Sequence, residues 1–178
     1  MIMLRRTLRL SAVPASLAVL LLAACTQPAA PSQATRPTVS DDQMLASIHA
    51  AGDKEKSVID VNPLRDPGVA ALQDAAEGDL RVGKYSDAAT KLDQALKISP
   101  DSPDLLQDRA ELAIHLRDYA GAEKLARRSW ELGPKLGPLC ARNWQTIAEL
   151  RQHAGDDAGA ATATKSVAEC HKEGMQRY

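Results

Sequence analysis

A pattern of ten residues occurs three times in this chain: LQDAAEGDLR from Leu72, LQDRAELAIH from Leu106 and WQTIAELRQH from Trp144. Each copy has an apolar residue and then Gln. Ala-Glu comes three and four residues after the Gln, and a base four residues after the Glu. The flanks recur as well. Gly83-Lys84-Tyr85, Ala88 and Ala95-Leu96 follow the first copy, and Arg117-Asp118-Tyr119, Ala122 and Ser129-Trp130 the second. Gly155-Asp156-Asp157, Ala160 and Val167-Ala168 follow the third. The first two copies are 34 residues apart and the third comes 38 later, with the extra four in the loop-forming stretch GPKLGP of residues 133–138. A unit of this length cannot bury its apolar face alone, so the chain must stack its copies.

Composition fits close helix packing. Aromatic residues make up 3% of the chain and Phe is absent, which works against a β-sandwich. A 34-residue period of helix, turn, helix and proline resembles the tetratricopeptide repeat, over about residues 69–172. The resemblance implies an all-α fold: a short right-handed α-solenoid of about three repeats, 69–102, 103–136 and 141–174, with an extra N-terminal helix. Ala76, Ala110 and Ala148 on the first helices, and Ala88, Ala122 and Ala160 on the second, would let paired helices approach closely. Leu72, Leu106 and Trp144 would fill the space between pairs. The chain departs from the family pattern late in the first helix, where Asp79, Ala113 and Arg151 replace the usual aromatic, and the third copy lacks a closing proline.

Residues 1–24 read as a signal segment rather than as part of the fold. Arg5, Arg6 and Arg9 precede an apolar run too short to span a bilayer comfortably. The run ends in Leu22-Ala23-Ala24-Cys25, which resembles the bacterial lipobox and implies cleavage before Cys25 and lipidation of its thiol. The covalent lipid is the one non-protein group expected; no cofactor and no metal is. Cleavage removes three arginines and leaves 19 basic against 23 acidic residues, a net charge of −4. Thr26 is not the Asp that in Gram-negative lipoproteins signals inner-membrane retention, so the resemblance implies the periplasmic face of the outer membrane. Residues 25–40, rich in Pro, Ala, Ser and Thr, read as a tether.

Residues 41–68 should hold a helix capped by Ser40 and running to about Ala51, with Met44, Leu45 and Ile48 on one face. An extended segment, SVIDVNPLRDPGV, should follow. Together they should cover the N-terminal end of the stack or part of its groove. At the other end, a last helix from Asp157 to about Lys172 carries Thr162, Thr164, Lys165 and Glu169 and should face water. Cys140 and Cys170 lie equally far from the turn at Gly155, which brings them side by side in an antiparallel pair. They are then a disulfide or two buried thiols, and an oxidising periplasm favours the disulfide.

In tetratricopeptide arrays the first helices line the concave face, where partners dock. The resemblance therefore implies three rows across a groove: Gln73, Gln107 and Gln145; Glu77, Glu111 and Glu149; Arg81, His115 and His153. Such a floor suits a basic or polar extended segment of another envelope protein. The same residues are also good helix formers with favourable i,i+4 pairs, and copies of one ancestral unit would share them by descent. No catalytic triad, phosphate-cradling loop or metal motif appears, and the charge points to no nucleic acid. His115 and His153 with Glu111 and Glu149 are the nearest to a metal set, but neighbouring helices stand about 10 Å apart. The expected function is that of a membrane-anchored periplasmic scaffold or adaptor without enzymatic activity. The alternative is an allosteric activator or regulator of a peptidoglycan or other envelope enzyme. The sequence leaves the oligomeric state open.

Overall fold

The computed structural model describes residues 39–55 and 65–171. The signal segment, Cys25, most of the tether and residues 57–64 of the expected extended segment lie outside them. Among the described residues there are seven α-helices and no strand: α1 (Asp41–Lys54), α2 (Pro67–Arg81), α3 (Tyr85–Ile98), α4 (Pro103–His115), α5 (Tyr119–Leu132), α6 (Pro138–His153) and α7 (Asp157–Glu169). None of them is long and apolar enough to cross a membrane.

Local chemistry sets the helix ends. Ser40 Oγ accepts from Gln43 N while Gln43 Oε1 accepts from Ser40 N, a reciprocal capping box that starts α1. The first helix of every repeat opens on a proline, Pro67, Pro103 or Pro138, where the missing N–H costs nothing and the fixed φ suits the helix. Asp118 and Asp156 cap α5 and α7 by accepting from Gly121 N and Gly159 N. Between the two helices of each repeat the chain turns through one left-handed residue, at Gly83 (φ 75°), Arg117 (φ 59°) and Gly155 (φ 80°).

Three expected boundaries move. Asp66 caps α2 through Gly68 N and Val69 N, so the end of the expected extended stretch is already helical from Pro67. Val39 packs against the core and Ser40 caps α1, so the tether stops before them. In the third repeat α6 begins at Pro138 rather than 141, and α7 ends at Glu169.

The helices pair as α2/α3, α4/α5 and α6/α7, and α3 and α5 also pack on the next repeat's first helix. Alanine makes this closeness possible. Ala88, Ala110, Ala122, Ala148 and Ala160 are all buried, as is Ala76, and the first core layer joins Val69, Leu92, Leu105 and Leu112 around them. At the far end Trp130 and Trp144 meet edge to face, ring centroids 5.0 Å apart. A disulfide joins Cys140 to Cys170 (Cα–Cα 5.6 Å), tying the start of α6 to the end of α7.

Of the two positions expected for α1, the helix takes the one along the groove. It packs on α6 and, more lightly, on α4, and not on the N-terminal end of the stack. Met44 and Ile48, both fully buried, meet Ala113, Ile114 and Leu150, whereas Ala51 meets Cys140, Ala141 and Cys170. The start of α1 thus lies against the end of α6 and its end against the start of α6, an antiparallel seat on the inner face. The apolar stripe of α1 finds its complement in the second and third repeats, not in the repeat that follows it.

Candidate partner-binding cleft

With α1 seated on the last repeat, a cleft of about 760 Å³ remains between α1 and α2, floored by α4. Ala88 and Leu92 of α3 contribute apolar surface at its base.

A polar network crosses the floor. Arg65 Nη1 donates to Gln73 Oε1 (2.9 Å), and Gln73 Nε2 to Asp108 Oδ2 (3.2 Å). Arg142 of α6 bridges Asp108 (3.1 Å) and Glu111 (2.7 Å). Glu111 also accepts from Gln107 Nε2 (2.8 Å) and lies 2.7 Å from His49 Nε2 of α1. Burial alone would push the Glu111 carboxyl up, but His49 and Arg142 outweigh it and hold it below the usual carboxylate range. Asp108 goes the other way: burial dominates, and its affinity for a proton is raised despite Arg142. The hydrogen bond to Glu111 raises His49 above its ordinary value.

The three expected rows are not equivalent. Gln73, Glu77, Glu111 and His115 line the cleft; Gln145, Glu149 and His153 do not. Glu111 is 8% exposed and saturated by three donors, and Gln107 is fully buried, so neither presents a free group to a ligand. In the third copy Gln145 Nε2 donates to Glu149 Oε1 one turn away, the same i,i+4 bond that Gln107 makes to Glu111. There the recurring Gln and Glu act within their own helix. The bases diverge as well. Arg81 is exposed, while His115 stacks on Tyr85 and His153 tilts against Tyr119, each at 4.3 Å between centroids. Among the described residues no group of three or more His, Cys, Asp or Glu side chains is placed to hold a metal.

Sequence reasoning passed over His49, Asp108 and Arg142, the residues that organise the floor. Asp108 had a signal, since it follows the recurring Gln just as Asp74 does in the first copy. His49 and Arg142 had none, because their partners lie 62 and 31 residues away.

Stacked helical hairpins enclosing a cleft make this a repeat domain of the protein-binding kind. The tetratricopeptide repeat family matches over residues 79–146. Among solved structures, the globular C-terminal domain of LpoP from P. aeruginosa is similar, at 32% identity and a TM-score of 0.55, over 59% of this chain and 99% of that one. No curated protein sequence matches the chain. The chain belongs to the tetratricopeptide repeat family.

Proposed function

We propose that this chain is a lipid-anchored protein of the outer membrane that binds a partner in the periplasm and regulates a peptidoglycan synthase. The similarity that runs the whole length of the LpoP globular domain carries this reading, and it favours a regulator over a general scaffold. Lipidation at Cys25 and a tether up to residue 38 would hold the repeats at the membrane while leaving them reach. The chain acts by binding rather than by catalysis, and its cleft takes a basic or polar extended segment of the partner.

The test adds the purified full-length chain in detergent to purified peptidoglycan synthases and follows glycan polymerisation and cross-linking. A regulator changes the rate of one synthase at saturating substrate. A scaffold binds and leaves every rate where it was, and that result would remove the regulatory reading.

A further inference from the structure

We infer that the cleft between α1 and α2 docks a short extended segment alternating apolar and basic side chains, and that α1 itself supplies one wall of the site. The inference deepens the partner-binding reading above and rests on it.

α1 carries two separate stripes. Met44, Ile48 and Ala51 are buried on the second and third repeats, whereas Asp42, Ala46, His49 and Asp53, spaced four, three and four apart, line the cleft. Opposite them α2 presents Ala76, Glu77 and Leu80. Leu80 is 38% exposed, a large apolar side chain left at the edge of an open cleft. Within the second stripe His49 is held by Glu111, and the stripe as a whole forms a channel with α2.

Charge selects the occupant. Of the carboxylates that line the cleft, Asp108 and Glu111 are engaged by Arg142, and Glu111 by His49 as well, which leaves Asp42 and Glu77 toward the opening. Asp42 and Glu77, on opposite walls, have no hydrogen bond or ion pair among the described residues. A Lys or Arg of the partner would complete them. The 14 residues of α1 span about 21 Å at 1.5 Å each, which matches about six residues of extended chain. In an extended chain alternate side chains point opposite ways, so one set meets the apolar base and the other the acidic rim.

The test measures anisotropy of a short labelled peptide of alternating Leu and Lys titrated with the full-length chain. A Leu–Glu peptide and a Leu–Lys peptide written with a helical period serve as comparators. The alternating Leu–Lys peptide should bind, and weaken as salt rises from about 0.05 to about 0.3 M. Changing Asp42→Lys and Glu77→Lys together should weaken it about tenfold; both residues are exposed, and unchanged melting will confirm the fold. Leu80→Ser, which removes apolar surface without adding charge, should weaken it independently. Absence of binding, equal binding of the Leu–Glu peptide, tighter binding of the helical peptide, or no effect of the double variant overturns the inference. Assaying the double variant on the synthase separates the two readings. Stimulation kept in full discards the cleft but leaves regulation standing; peptide binding with no synthase stimulated discards regulation and leaves the cleft.

Discussion

His49 Nε2 lies 2.7 Å from Glu111 Oε2, and this contact fastens a helix that precedes the repeats to the first helix of the second repeat. Because the folded state raises the proton affinity of His49, the charged imidazole stabilises the fold below about pH 6.5, the ordinary value. That contribution is lost as the pH climbs through the raised value. His115 opposes it: burial lowers its proton affinity, so it costs stability as the pH falls through the ordinary range. Arg142 and Asp53 also act on His49, in opposite senses. The informative quantity is therefore the difference between the native chain and His49→Gln in thermal melts. The native advantage should be largest near pH 6 and shrink by about pH 9. A constant or growing advantage would show that the contact does not act through charge.

Asn143 is fully buried and neither of its side-chain polar atoms has a partner among the described residues. The same register in the second repeat holds Leu105, also buried. Leucine keeps the branching of Asn and removes the unmet polar groups, so Asn143→Leu should stabilise the domain by about 1–2 kcal/mol. Urea melts will measure it, and a lower midpoint would mean that the amide is satisfied by something a leucine cannot replace.

The bridge between Cys140 and Cys170 closes a loop with a sequence separation of 30. In the chain-entropy account that is worth roughly 3–4 kcal/mol. Because Ala51 of α1 packs on both cysteines, reduction should also loosen α1. Hydrogen exchange with and without reductant should show earlier opening of α1, α6 and α7 than of α2 and α3. Uniform opening would mean that the bridge stabilises the unit as a whole.

Arg117 sits at φ 59°, where the other two repeats have Gly83 and Gly155. A side chain in that region costs about 1 kcal/mol. Its ion pair with Asp41 is a loose 3.6 Å contact at the surface, worth little. Arg117→Gly should therefore be neutral to stabilising by up to about 1 kcal/mol, and Gly155→Ala destabilising by a similar amount. Equal melting of all three proteins would contradict the assignment.

The repeat was legible because Leu72, Leu106 and Trp144 recur with their small neighbours, and small residues have to recur where helices meet closely. Even the turn at Arg117 could be aligned to its glycine counterparts. The placement of α1 could be read only as far as a choice between the end of the stack and its groove. Met44, Leu45 and Ile48 announce an apolar stripe, but several grooves would accept one, and the choice depends on Ala113, Ile114 and Leu150 far along the chain. For the same reason the members of the acidic row could not be told apart: Glu111 looks like Glu77 and Glu149 until His49 and Arg142 arrive from elsewhere to engage it.

Repeat stacks generally form by adding each unit to the one before it. Here the first folded element waits for the last. During synthesis, or passage across a membrane amino end first, α1 emerges well before its seat on α6 exists, and Glu55 meets His171 only when nearly the whole unit is present. Until then Met44 and Ile48 have only the part of their cover that Ala113 and Ile114 supply. A chain that stops after the second repeat would hold a stack without its strap, so the docking of α1 reports that the third repeat is in place.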